Sequence, residues 1–124
     1  MLYIIESPVY SRLDVNPGQL VQLRCNTSQI RNITWTKDNN DDDGYVDYIC
    51  LNGHIDSDWH WLFTRSTENA HILAIADAKQ KDSGVYNCYD GTGIRKVGYQ
   101  LNVAGRRCIC VYCVCENIAI GLYQ

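Results

Sequence analysis

Asp82-Ser83-Gly84-Val85-Tyr86-Asn87-Cys88 is the stretch on which the reading of this chain turns. It leads from an acidic turn into a short alternating segment and ends on a cysteine two residues after a tyrosine. Far upstream, residues 20–25 alternate in the same way, with Leu23 and Cys25 on one face and Gln22 and Arg24 on the other. Trp35 follows Cys25 by ten residues, and Ile33 shares its inward face while Thr34 and Thr36 point outward. Two cysteines, a tryptophan and a tyrosine thus fall at fixed places within strand-like segments.

The remaining chain reads as short strands between turn signals, without a helical period. Residues 2–6 read as an edge strand broken by Ser7-Pro8 and resumed over 12–15, and proline is tolerated at such an edge. Asn16-Pro17-Gly18 is a turn. An acidic hairpin loop over 38–44 precedes a strand over 45–51, and Asn52-Gly53 then signals a two-residue hairpin into 54–56. Further strands are expected over 62–65, 72–76 (Leu73 and Ile75 inward), 85–89 and 96–103, with a tight turn at Asp90-Gly91-Thr92-Gly93.

Over residues 2–104 this set of residues resembles the immunoglobulin superfamily. The resemblance implies an all-β, immunoglobulin-like Greek-key β-sandwich. The cysteines Cys25 and Cys88 would staple its two sheets, Trp35 would pack on the disulfide, and Leu73 and Tyr86 would join the core. The Tyr86 hydroxyl would tie the corner before its strand to upstream backbone. The span between Trp35 and Cys88 leaves room for both C′ and C″ strands, which favours the variable-type (V-set) form. Similar domains pair an arginine of strand D with the aspartate before strand F, which implies an Arg65–Asp82 salt bridge. Two departures point away from a rearranging antigen receptor. Strand G carries Arg95-Lys96-Val97-Gly98-Tyr99-Gln100 instead of an aromatic-Gly-x-Gly bulge, and Thr36-Lys37-Asp38 follows Trp35. An adhesion molecule, innate receptor or early antigen-receptor-like protein fits better.

A chain of 124 residues suits one domain, here 2–104, with 105–124 as a cysteine-rich tail. Net charge −3 and scattered basic residues exclude a nucleic-acid reading. Seven cysteines favour an oxidising, extracellular location. The sequons Asn26-Thr27-Ser28 and Asn32-Ile33-Thr34 agree with secretion and make Asn26 and Asn32 glycosylation candidates. The first ten residues lack a basic start and a long apolar run, so a mature fragment whose leader was removed is expected.

No constellation suggests an enzyme, a cofactor or a small-molecule substrate. In an EF-hand register Asn39, Asp41, Asp43 and Gly44 would match a calcium loop, but Cys50 stands where a bidentate glutamate belongs. The loop reads instead as a solvated hairpin tip. His54, His60 and His71 lack metal-ligand spacing, and Trp59 and Trp61 are expected to cover the lower core from one strand face. In the tail, Cys108, Cys110, Cys113 and Cys115 suggest an extra strand or a disulfide-capable appendage; a thiolate metal site is the competing reading. With Cys25 and Cys88 removed, five cysteines remain, so at least one cannot pair internally; Cys50 is a candidate partner for the tail.

An immunoglobulin-type scaffold does not by itself specify what is bound. The connection over 90–94 is too short for a protruding recognition loop, which shifts weight to the outer face of the G-F-C-C′ sheet. Thr34, Thr36, Asn87, Tyr89 and Gln100 are the candidate interface, joined from C′ by Tyr45 in one register or by Tyr48 in the other, between which the sequence does not choose. The expected function is extracellular protein recognition or adhesion, with another immunoglobulin-type domain, a second copy included, as partner. A secreted ligand-sequestering decoy and a metal-binding tail are the alternatives.

Overall fold

The computed structural model describes residues 9–27, 32–38, 46–109 and 114–117, with the backbone alone described beyond residue 105. Two sheets pack as a sandwich. The larger holds β1 (Ser11–Val15), β9 (Arg95–Val103), β8 (Gly84–Tyr89), β3 (Thr34–Asp38), β4 (Val46–Leu51) and β5 (His54–Ile55), in that spatial order. The smaller runs β2 (Val21–Asn26), β7 (Ala70–Ile75), β6 (Leu62–Ser66). β1 pairs with β9 in parallel, and the other pairs are antiparallel. Two further strands, β10 (Arg106–Ile109) and β11 (Val114–Asn117), form a separate hairpin whose register sets Cys108 opposite Cys115.

The alternation expected for β2 holds: Val21, Leu23 and Cys25 are buried, while Gln22, Arg24 and Asn26 are exposed. Each fully buried aliphatic side chain of this kind contributes about 1.5–3 kcal/mol. The Cys25–Cys88 disulfide joins β2 of one sheet to β8 of the other across 6.3 Å between α-carbons. Trp35, Leu73 and Tyr86 are fully buried in the same core. The Tyr86 hydroxyl donates to the Asp82 carbonyl at 2.5 Å. Burial, and secondarily the nearby Asp82 charge, push the Tyr86 pKa well up, so this donor stays protonated.

Asn52 (φ 51°) and Gly53 (φ 81°) both take the left-handed backbone that a two-residue hairpin demands, and they connect β4 to β5. A bulge in the β3–β4 ladder places Ile49 between the Trp35↔Cys50 and Thr36↔Tyr48 pairs. As a consequence both Ile49 and Cys50 reach the core, while Val46 and Tyr48 stay exposed.

Three expectations are corrected. Arg65 and Asp82 form no salt bridge. Strand parity turns Leu62 inward and Phe63 and Arg65 outward, onto the outer face of the small sheet beside Ile72 and Ala74. Asp82 is buried and accepts instead from the Trp61 indole N–H at 2.9 Å and from the Lys79 backbone N–H at 2.8 Å. Cys50 is no partner for the tail, being a free, fully buried thiol near the Ile33 carbonyl. Burial raises its pKa to about 11. Finally, Trp59 and Trp61 do lie against the core, but on a 3-10 turn (Ser57–Trp59) and the turn after it, with ring centroids 5.2 Å apart. Residues 2–6 and 39–45, with Tyr45 and the acidic loop tip, lie outside the described residues, as do Cys110 and Cys113.

Candidate functional site

The outer face of the larger sheet divides into a covered half and an open half. On the covered half, Arg95 lies across β9: its Nε donates to Asn87 Oδ1 at 2.7 Å and its terminal nitrogen to the Val9 carbonyl at 2.6 Å. The Tyr10 ring stands over the Arg95 guanidinium at 4.5 Å, a cation–π contact. Gly98 lies directly below, and a Cβ there would come within 2.6 Å of the Tyr10 ring. Asn87, expected at the interface, is therefore only 8% exposed, its side-chain oxygen already taken. Gln100 is half-buried nearby and does not line the open half.

The open half is a recess of about 530 Å³ above β3, β4 and the upper end of β8. Thr34, Thr36, Tyr48 and Tyr89 line it, so four of the expected interface residues come together. Tyr48 is 58% exposed, and Tyr89 and Thr34 are half-buried. Thr36 is buried in the recess, and its Oγ1 has no hydrogen-bond partner. A buried hydroxyl without a partner costs about 1–3 kcal/mol, and this one lies closed off beneath the floor of the recess.

The rim comes from Asn32 and from two turns that the sequence marks as connections. Asn32, Asn52, Asp90, Gly91 and Gly93 belong to it. Asn32 packs on Gly91 so closely that a Cβ at Gly91 would lie 2.8 Å from the Asn32 Cβ. The turn over 90–94 is held from within. Asp90 Oδ1 accepts from the Thr92 N–H (2.8 Å), the Thr92 hydroxyl (2.6 Å) and the Ile94 N–H (3.1 Å). The Thr92 hydroxyl, with these backbone donors and Lys96, holds the Asp90 carboxyl below the usual range. Asn-Gly and Asp-Gly-Thr-Gly were legible as turns; that both border one recess was not.

Asp90 is the one charged residue among the described lining, so the recess suits uncharged groups that hydrogen-bond and pack on aromatic rings. Among the described residues no cluster of three or more His, Cys, Asp or Glu side chains could hold a metal ion. Asn26, the other glycosylation candidate, lies at the exposed end of β2, where its Oδ1 accepts from Arg24 Nε at 2.8 Å. No protein-family model matches this chain, and no curated protein sequence matches it.

Proposed function

We propose that this chain is a variable-type immunoglobulin domain that acts extracellularly as a non-enzymatic recognition module, binding a second domain of its kind through the face formed by β8, β3 and β4. The order β1-β9-β8-β3-β4-β5 against β2-β7-β6 supports the fold reading, because it corresponds to A′-G-F-C-C′-C″ against B-E-D. The inter-sheet disulfide, the buried Trp35 and the Tyr86 corner support it further. A disulfide-stapled β domain is compatible with an oxidising compartment. Among the described residues no helix is long and apolar enough to cross a membrane.

The observation that carries the functional reading is the recess: two tyrosines beside Thr34 and Asn52 on the face left open by Arg95 and Tyr10. Tyrosines and small polar residues give large contact area at low entropic cost. An open sheet face of this kind suits a two-fold contact between copies. Sedimentation equilibrium of the chain made without glycans tests this. A dissociable dimer is expected, weakened about tenfold or more by Tyr48→Ala with Tyr89→Ala. A chain that stays monomeric up to about 1 mM, with or without those substitutions, removes the reading.

A further inference from the structure

Asn32 is both the acceptor of a sequon, Asn32-Ile33-Thr34, and a lining residue of the recess. Its side chain is exposed and rests on Gly91, whose missing Cβ would stand 3.2 Å from Asn32 Nδ2. Thr34, which completes the sequon, lines the same recess. A sugar joined to Nδ2 is one covalent bond from this rim, so its first ring starts at the mouth of the recess.

We infer that Asn32 carries an N-linked glycan whose innermost N-acetylhexosamine occupies this recess and thereby controls access to the recognition face. The inference rests on the proposed role of that face only for its second clause. In the modification, Nδ2 attacks C1 of the first sugar of a lipid-pyrophosphate-linked oligosaccharide. A C1–N bond forms, the C1–O bond to the pyrophosphate breaks with that group leaving, and the displaced Nδ2 proton goes to the transferase base.

The chemistry of the lining matches such a sugar. Its hydroxyl and acetamido groups are uncharged donors and acceptors, and the described lining offers Thr34 and Asn52 with no cation to demand an acidic ligand. Oδ1 of Asp90 is engaged by its own turn, which fixes the wall against which the sugar would rest. The apolar face of a sugar ring can pack on Tyr48 or Tyr89, both of which line the recess. The recess volume, about 530 Å³, admits one sugar residue and leaves the rest of the glycan in solvent.

The test uses the whole chain secreted from a glycosylating eukaryotic host, with glycopeptide mass spectrometry and NMR of isotopically labelled glycan. Occupancy at Asn32 is expected, together with an upfield ring-current shift of the innermost acetamido methyl. That shift should be lost with Tyr48→Ala plus Tyr89→Ala. An unmodified Asn32, or a first sugar with the resonances of a free glycan, overturns the inference. Both readouts are made on the unsubstituted protein, so no variant's folding decides them. Self-association is then compared between the glycosylated chain and Asn32→Gln. A gain of about tenfold or more in Asn32→Gln is expected. A shifted, docked sugar with equal association of both forms overturns the control of access while leaving the docking. Absence of any dimer in Asn32→Gln at every concentration, by contrast, counts against the face itself.

Discussion

The Trp35 indole N–H donates to His71 Nδ1 at 3.0 Å, with both side chains buried in the core. His71 lies opposite Cys25 in the β2–β7 ladder, so this polar pair sits beside the inter-sheet disulfide. The bond requires a neutral imidazole with its proton on Nε2, because a protonated ring has no acceptor. Burial lowers the His71 pKa below 6.5, in the same direction. The Tyr99 ring stacks on the other partner, Trp35, at 6.4 Å between ring centroids, and Arg24 and Arg65 on the flanking strands point outward.

The sign of the resulting pH dependence follows from linkage. The unfolded chain takes up a proton on His71 near pH 6.5 and the folded one only at lower pH, so the unfolded state binds more protons between those values. This contribution to stability is complete above pH 6.5 and is lost as pH falls toward the folded-state pKa. Urea melts at pH 7.5, 6.5, 5.5 and 5.0 should show a falling midpoint. His71→Leu should be less stable at pH 7.5 by about 1–3 kcal/mol, since it strands the Trp35 N–H, yet lose part of the pH slope. Equal slopes in both proteins would remove His71 as the source.

Asp82 provides a second contrast. Trp61→Phe keeps an aromatic ring near Trp59 but removes the indole donor to the buried carboxylate. Hydrogen bonds to charged groups contribute about 1.5–3 kcal/mol, and a loss of that order is expected in chemical denaturation. Arg65→Ala, on the exposed outer face, should fall within about 0.5 kcal/mol of the parent. The reverse ranking would restore the arginine–aspartate pair.

How far the sequence was legible follows from the range of the interactions. Alternation of buried and exposed residues needs only neighbours, so β2, the Asn52-Gly53 hairpin and the strand that carries Cys88 could be read directly. The Ile49 bulge could not, since an extra residue in one strand leaves no periodic mark and shifts which β4 side chains face inward. The Asp82 partner was missed because the choice between Trp61 and Arg65 depends on where β6 begins. Parity puts Asn87 on the outward face of its strand, yet it is buried there. What covers it is Arg95, held by Val9 and Tyr10 from the distant edge.

Two glycines should respond differently to alanine. Gly84 has φ +153°, and an added Cβ would stand 2.7 Å from the Asp38 carbonyl oxygen, a backbone atom fixed by the β3–β8 ladder. Gly84→Ala should therefore cost about 1–3 kcal/mol, read as a lower thermal midpoint. At Gly98 the obstructing atoms are the tips of Arg95 and Tyr10, which can swing away. Gly98→Ala should cost less, but free Asn87 and raise hydrogen exchange of β1, whose parallel pairing with β9 borders that contact. Unchanged exchange in β1 would show that Arg95 and Tyr10 do not brace that edge.

The chemistry of Cys50 separates burial from disulfide formation. The reactive species of a cysteine is the thiolate, and a pKa of about 11 leaves almost none at pH 8. Full burial adds a barrier to reagent entry. Native protein treated with iodoacetamide at pH 8 should stay unmodified at Cys50 over hours, by peptide mass spectrometry. Unfolding in urea with the Cys25–Cys88 bond intact should expose it to rapid alkylation. Cys50→Ala removes a small apolar group beside Trp35 and should cost about 1 kcal/mol without altering self-association, since the thiol faces the core opposite the recess. Rapid native labelling of Cys50 would mean that β4 opens on that timescale, and the bulge that turns Ile49 and Cys50 inward would then be its weak point.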